Sequence, residues 1–387
     1  MRCFPLRGAL LAASILAISL SPSVFADEAF QFEASYSGEY WENVKGGIKR
    51  GGAFIDNIDA TLEVDAELAF GLSGGTAFAY VLYNNSSTLS EPIVGDTQTV
   101  SNIDNSHVLR LYELWYEQAF GAGQSLKFGL YDLNSEFDAI EPAGLFINSS
   151  HGISPEYSQS GVNGPSIFPS TSLALRYFNQ LNDVVSVQAA ILDAVPNDPN
   201  DPQRNRIRLS GDEGSLIALE SNFESDGRRY GLGTWFYSEK SATLNGTGME
   251  NNRGIYGIYR NQLMSAAADG KDLAFWLVYG VAKESVNPIS AYLGGGVVVS
   301  QFIPGRPDDT IGFAVAHARN GNAYRDSIAT TGARPESAET NFELTYRATI
   351  NDRIVIQPDI QYIRNPGTDP ALDDALVIGI RVEVRLL

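Results

Sequence analysis

The sequence predicts an all-β fold: a transmembrane antiparallel β-barrel of about sixteen strands, with short periplasmic turns and long extracellular loops. The first observation behind this prediction is a two-residue alternation of apolar with polar side chains, which is typical of strands between lipid and water. The second is that short and long gaps alternate between these segments, as in barrels that cross the outer membrane.

The alternation is clearest in the last predicted strand. Ile378, Ile380, Val382, Val384 and Leu386 fall on one face, and the residues between them are glycine or charged. The same pattern predicts strands near 30–42, 58–71, 76–84, 107–120, 124–132, 171–181, 184–193, 214–224, 227–239, 251–261, 271–283, 290–302, 309–318, 339–350, 353–364 and 374–386.

The gaps between these strands differ in length and composition. Several even-numbered gaps contain only turn formers, such as Gly121-Ala122-Gly123 and Asn351-Asp352. The first, third, fifth, seventh and thirteenth gaps are predicted to be long, from about 15 to almost 40 residues, which exceeds ordinary loop lengths. A soluble β-sandwich has no reason to keep that parity, so we expect the long loops at one end of a barrel.

Residues 1–26 have the pattern of a secretory signal peptide. Arg2 and Arg7 precede the apolar stretch 8–20, which is too short to span a bilayer as a helix, and a small-residue site ends at Ala26. The predicted organisation is a cleaved leader, 1–26, followed by one barrel domain, 27–387. An uncleaved anchor helix is the alternative.

Composition excludes several classes of function. A net charge of -19 disfavours nucleic acid as a partner. The single cysteine, Cys3, lies in the leader, so the mature chain would have no disulfide and no thiolate metal site. His107, His151 and His317 are far apart without metal-ligand spacing. We therefore expect no metal and no cofactor.

The fourth predicted strand carries the most distinctive pattern. Glu113, Trp115 and Glu117 share one face and alternate with Tyr112 and Leu114 on the other. An indole between two carboxylates suits a sugar, because the ring packs on C–H faces while carboxylates accept hydroxyl hydrogen bonds. We therefore predict that this face lines the lumen; a tryptophan facing lipid at the membrane interface is the alternative.

The longest predicted loop, 133–170, begins with Glu136 and Asp138 as further pore-lining candidates. Loops of this length are usually functional or disordered. Apolar residues such as Phe146 and Ile153 disfavour disorder. We expect the loop to fold into the barrel and narrow it; an extracellular cap is the alternative.

Three arginines near the end of the chain are predicted to face the lumen: Arg347, Arg381 and Arg385. Closure of a barrel brings the last strand beside the first, so these residues would face acidic side chains and set a transverse field. The acidic residues expected opposite them are Glu63, Asp65 and Glu67. Simple ion pairing that stiffens the wall is the alternative.

Several segments resemble the carbohydrate-selective porin family, OprB type. The matching pieces are GLYDLNSEFD (129–138), FINSSHGISPE (146–156), GPSIFPSTSLALR (164–176), AILDAVPNDP (190–199), PGRPDD (304–309), VIQPDIQYIRNPG (355–367) and DALVIGIRVEVR (374–385). The resemblance implies a sixteen-stranded porin for passive uptake of glucose and other sugars across the outer membrane, with a constriction shaped by inward loops. The chain departs from the usual aromatic ending of such barrels, since it ends in Leu386 and Leu387.

Other functions remain as alternatives at this point. A general diffusion porin with weak cation preference shares the predicted fold and suits the acidity. A lipid-acting barrel enzyme lacks support, because the G-x-S-x-G match at 71–75 precedes a strand rather than a helix. The expected partners are small-molecule sugars and outer-membrane lipid, and the sequence leaves both a homotrimer and a monomer open.

Overall fold

The computed structural model describes residues 29–86, 88–198, 201, 204–207, 212–263 and 272–387. The predicted leader lies outside the described residues. Sixteen antiparallel strands form one closed barrel in which every strand pairs with its sequence neighbours and β1 pairs with β16. The predicted fold class is therefore confirmed. Among the described residues, no helix is long and apolar enough to cross a membrane.

The strands begin and end close to their predicted limits. They are β1 Phe30–Lys45, β2 Gly51–Asp65, β3 Gly75–Ser86, β4 Val108–Phe120, β5 Gln124–Tyr131, β6 Ser172–Gln180, β7 Val185–Asp193, β8 Ser215–Ser225, β9 Arg228–Ala242, β10 Met249–Leu263, β11 Leu273–Ala282, β12 Ile289–Ser300, β13 Thr310–Asn320, β14 Ala338–Asn351, β15 Ile354–Arg364 and β16 Ala375–Arg385. Within the described residues, three short α-helices lie in the connections between strands: α1 Ala66–Phe70, α2 Pro155–Ser158 and α3 Asn322–Ala329.

The second strand is the one the sequence placed wrongly, since it was predicted at 58–71. The chain leaves the sheet at Asp65, whose carboxylate accepts hydrogen bonds from the backbone N–H groups of Glu67 and Leu68 and so caps α1. Gly71 ends that helix in the left-handed conformation. The apolar alternation continues past Asp65, but the alanine, glutamate and leucine residues there favour a helix. This segment is therefore not a strand.

The first connection is also shorter than predicted. β1 and β2 are joined by residues 46–50, because both strands extend toward each other past their predicted limits. Gly46 and Gly47 both have positive φ, and a Cβ on either would collide with neighbouring backbone, so glycine is required in this turn. The predicted long first loop is therefore wrong.

The two faces of the strands follow the alternation. In β11, Phe275, Leu277 and Tyr279 are exposed on the outer wall, whereas Trp276 and Val278 are buried on the inside. Tyr112 is an exception, because a register irregularity between β3 and β4 turns it inward beside Glu113. It is buried rather than lipid-facing, and its hydroxyl donates to Asp132 over 2.7 Å.

The two ends of the barrel differ. We call one end the turn end. It carries the connections 121–123, 181–184, 226–227 and 352–353, and β1 begins and β16 ends there. The other, the loop end, carries the longest connections. Two of these determine the interior: L2, residues 88–107, and L3, residues 132–171.

Candidate functional site

L3 lies inside the barrel against the inner wall of β7 to β13. Its buried apolar side chains belong to the same core as inward residues of the wall. Tyr157 of L3 stacks on Trp235 with ring centroids 5.0 Å apart, and Phe146 packs against Trp276 at 6.2 Å. Burial of several large apolar and aromatic side chains holds the loop in place. The prediction that this loop folds inward is confirmed.

Polar contacts fix L3 on the same wall. Glu343 of β14 accepts hydrogen bonds from the backbone N–H groups of Ile147 and Asn148, at 2.6 and 3.1 Å. The hydroxyl of Tyr292 donates to the carbonyl of Ser150 over 2.8 Å. Inward strand side chains therefore replace the backbone partners that this irregular segment lacks.

L2 folds inward as well, which the sequence analysis did not predict. Glu339 of β14 accepts hydrogen bonds from the backbone N–H groups of Thr97 and Gln98, at 2.8 and 2.9 Å. The apolar side chains of Leu89, Val94 and Val100 are fully buried against β1, β2, β15 and β16. These three apolar residues were the sequence signal that L2 is buried, because a loop exposed to solvent has no reason to carry them.

The two inward loops contact each other. The backbone N–H of Asn102 in L2 donates to the carbonyl of Ile147 in L3 over 2.8 Å, and that of Ser149 donates to Thr99 over 3.1 Å. L2 and L3 therefore form one continuous layer on the inner wall. On the opposite side of the lumen, Phe78 of β3 and Trp115 and Glu117 of β4 remain partly exposed. Lys127 of β5 and Arg176 of β6 also point inward but are buried.

An aromatic platform lies on this uncovered wall. Phe78 of β3 and Trp115 of β4 are direct cross-strand neighbours whose rings stack with centroids 5.0 Å apart and an angle of 22° between planes. The Nζ atom of Lys127 lies 4.1 Å from the Trp115 ring centroid. The Trp115 indole N–H donates to Glu113 over 3.1 Å, which fixes the orientation of the ring.

Charged groups adjoin the platform on its turn-end side. Glu117, Lys127 and Arg176 stand in one cross-strand row on β4, β5 and β6. Arg176 lies 2.9 Å from Glu117 and 2.6 Å from Glu136 of L3, and Lys127 lies 2.7 Å from Glu136. Although burial opposes its ionisation, Lys127 and Arg176 hold the pKa of Glu136 below its usual range. Two carboxylates and two cations thus join L3 to the wall.

At the loop end, L2 borders a cavity of about 630 Å³ that residues 367–372 close on the other side. Its acidic lining residues are Glu91, Asp96, Asp104 and Asp369. No lysine or arginine contributes to this lining. This cavity at the loop end is therefore lined by acidic side chains, in keeping with the composition.

The structure brings together four of the eight predicted pore-lining residues: Glu113, Trp115, Glu117 and Glu136. Trp115, Glu117 and Glu136 remain partly exposed to the lumen, whereas Glu113 is nearly buried and accepts from the backbone of Asp132. Glu113 therefore orients the indole rather than lining the lumen.

Asp138 is not at the lumen surface. It is only 2 % exposed and lies between L3 and the wall, where its carboxylate accepts a hydrogen bond from the backbone N–H of Ser154 and its own N–H donates to Glu220. Burial is the main cause that raises the pKa of the Asp138 carboxyl to about 7. The negative charge of the neighbouring Glu220 acts in the same direction. Its predicted pore-lining position is corrected.

The three C-terminal arginines face inward as predicted, but their partners differ from those expected. Arg381 is directly opposite Glu39 and forms an ion pair with it, because the β1–β16 register places these two side by side. Arg347 pairs with Glu383 at 2.7 Å. Arg385 is exposed at the turn end, 3.9 Å from its partner carboxylate.

The expected acidic partners of these arginines lie elsewhere, and the arginines are not part of the platform. The partner of Arg385 is Glu33, and Asp65 caps α1. Arg347 and Arg381 each form a local ion pair, which is the alternative that the sequence left open.

Sequence reasoning missed Phe78, Lys127 and Arg176. Lys127 and Arg176 are the only charged residues of β5 and β6, so their inward register was a usable signal. Phe78 gave none, because both faces of β3 are apolar. His151, which lies among serines of L3, is buried against Trp276 and its pKa falls to about 3, so it stays neutral.

Comparisons with known proteins agree with this architecture. The family model described as carbohydrate-selective porin, OprB family, matches residues 49–386. The chain is 24% identical to Porin B of Pseudomonas aeruginosa over 92% of this chain and 87% of that protein. OprB of Pseudomonas putida at high pH superposes with a TM-score of 0.83, at 21% identity over 93% of this chain and 95% of that one. The channel DcaP of Acinetobacter baumannii gives 0.55, at 9% identity over 92% and 97%, which shows a shared fold.

Proposed function

The chain belongs to the carbohydrate-selective porin family, OprB, and from that premise we propose that sugars cross the barrel along the partly exposed wall of β3 and β4. The protein is a sugar-selective porin of the outer membrane, a channel and not an enzyme. The proposal concerns which residues carry the selectivity.

The observation that carries the proposal is the stacked pair of Phe78 and Trp115 beside a row of charged groups. A pyranose has apolar C–H faces that pack on aromatic rings and a rim of hydroxyls that exchange hydrogen bonds with charged groups. The rings offer the first kind of contact, and Glu117 and Glu136 offer the second one step nearer the turn end. Lys127, which lies over the indole, is a further donor for a sugar hydroxyl.

L2 and L3 support this path by covering the rest of the inner wall. A sugar confined between that layer and β3 to β6 keeps contact with the platform as it passes. The charged side chains beside the platform are already paired with one another. When a sugar hydroxyl replaces one of these partners, one charge-assisted hydrogen bond is exchanged for another, and no charged group is left without a partner. The cost of desolvating the sugar is thereby offset without trapping it.

The experiment is single-channel recording of the purified protein in a planar bilayer during titration with glucose and with maltose. We expect conductance steps that sugar reduces in a saturable manner, with mannitol at equal osmolarity as the viscosity control. Sugar and mannitol reducing the current equally would overturn selective binding. The acidic cavity at the loop end favours a weak cation preference in either case, so the salt-gradient potential is measured in parallel.

The chain's processing and assembly are separate proposals. We infer that cleavage after Ala26 yields a mature chain beginning at Asp27, which N-terminal sequencing of protein from outer membranes tests. We infer a homotrimer whose subunits contact through outward strand faces. Light scattering in detergent, corrected for bound detergent, should give three times the chain mass; a single chain mass contradicts the trimer.

A further inference from the structure

The outer wall carries an unusual group of polar residues near the loop end of β13, β14 and β15. His317, Thr340 and Arg364 stand in one cross-strand row with their side chains outward, and Arg319 lies two residues beyond His317 on the same face. Cross-strand neighbours have Cβ atoms about 5 Å apart, and alternate strand residues are about 7 Å apart. The four side chains therefore form one compact patch.

The level of this patch in the membrane follows from the aromatic residues beneath it. Phe342 and Tyr362 are two residues nearer the turn end on β14 and β15, with ring centroids 6.2 Å apart. Such pairs on the outer wall mark the boundary between acyl chains and headgroups. The patch, one step beyond this pair, lies among lipid headgroups of the leaflet at the loop end.

The two guanidinium groups are free to bind. Arg319 and Arg364 are exposed, and neither side chain forms a hydrogen bond or an ion pair within the part of the chain that the structure describes. The carboxylate of Asp374 interacts electrostatically with Arg364. It is held by the Tyr362 hydroxyl at 2.6 Å and the Asn365 N–H at 3.0 Å, and it forms no ion pair with the guanidinium.

Charge complementarity identifies the occupant. The chain as a whole carries a net charge of -19, yet this outward patch contains two arginines. Guanidinium groups bind phosphate through paired hydrogen bonds, and basic groups at headgroup level recognise anionic lipids. His317 Nδ1 lies 2.8 Å from the Thr340 hydroxyl, which orients both groups beside Arg364.

We propose that His317, Arg319, Thr340 and Arg364 form a binding site for the phosphate groups of a phosphorylated glycolipid in the outer leaflet. The arginines bind the phosphates, and the outward-facing Phe342–Tyr362 pair contacts the first part of the acyl chains. This site is outside the lumen and makes no contact with the sugar path. It rests on the outer-membrane location of the barrel and not on the residues proposed to bind sugar.

The test measures binding of diphosphoryl lipid A to the detergent-purified barrel by native mass spectrometry. Each basic contact at a membrane surface is worth about 1 kcal/mol, so Arg319→Gln or Arg364→Gln should weaken binding roughly fivefold, and the double variant about thirtyfold. Arg228→Gln is the matched control, because Arg228 is also exposed on the outer wall but at the turn end. It should change the affinity less than twofold.

Three outcomes would overturn the proposal. The first is a double variant that binds diphosphoryl lipid A like the wild type. The second is equal binding of lipid A without phosphates, which would make the contact apolar. The third is equal binding of phosphatidylglycerol, which would show a site for any lipid phosphate. Heat-modifiable electrophoretic mobility confirms that each variant is folded, and the sugar titration reports separately on the lumen.

Discussion

Glu136 of L3 lies 2.6 Å from Arg176 of β6, and this contact joins the inward loop to the wall that it faces. The same carboxylate is 2.7 Å from Lys127, so one acidic side chain holds two cations. Because Glu117 contacts both cations from its own strand, the four charges balance. Glu136 therefore links the ion selectivity of the channel to the position of L3.

Glu136→Gln should shift the ion selectivity of the channel toward anions. The substitution leaves two cations against the single carboxylate of Glu117, and it removes partly buried charge pairs whose loss costs about 1–3 kcal/mol. The reversal potential in a potassium chloride gradient measures the shift. Glu42→Gln removes the same charge from the outer wall and is the control. Equal reversal potentials for both variants would contradict a lumen position for Glu136.

Trp115→Ala should weaken the sugar-induced block of the current. An aromatic contact is worth roughly 0.5–1.5 kcal/mol, so the concentration of maltose needed for half-block should rise about two- to tenfold. Phe128→Ala is the control, because Phe128 is also a large aromatic residue but is exposed on the outer wall of β5. A block that is unchanged in the Trp115 variant, or weakened as much in the control, would place the sugar elsewhere.

The strands and the inward position of Trp115 and Glu117 could be predicted from sequence, since side-chain alternation is a local property of the chain. Tyr112 could not, because its face depends on a register irregularity between β3 and β4. The end of β2 was also misplaced, because the alternation persists into residues that Asp65 caps as a helix.

The loop positions depend on partners far away in sequence. Thr97 and Glu339, which fix L2, are separated by 242 residues, and Asp138 and Glu220 by 82. No pattern within a short segment specifies such contacts. The apolar residues of L2 and L3 indicate that each loop is buried, but not against which strands.

Glu339→Ala should release L2 from the wall and raise the conductance. The carboxylate accepts hydrogen bonds from Thr97, Gln98 and Gly367, and each lost partner of a buried N–H costs about 1–3 kcal/mol. Proteinase K should then cleave within 88–107 at least about tenfold faster. Glu336→Ala, an exposed neighbour on the connection before β14, is the control. Cleavage at the wild-type rate would show that the apolar anchors of L2 suffice.

We expect the barrel to become less stable as pH rises from about 4 to above 7, because Asp138 then ionises while it is buried. Its folded-state pKa of about 7 exceeds the unfolded value of about 3.9, so its stabilising contribution is complete below the unfolded value and is lost as pH passes through the folded one. A shift of this size corresponds to an upper estimate of about 4 kcal/mol.

Asp138→Asn should flatten that dependence and raise the unfolding temperature at pH 8, because the amide oxygen still accepts from Ser154 without a buried charge. The midpoint of the heat-modifiable mobility shift, measured from pH 4.5 to pH 8.5, reports the effect. Asp226→Asn, at the exposed β8–β9 turn, is the control and should leave the wild-type slope unchanged. A steep slope that persists in the Asp138 variant would assign the titration to another buried carboxyl such as Glu156, whose pKa burial also raises.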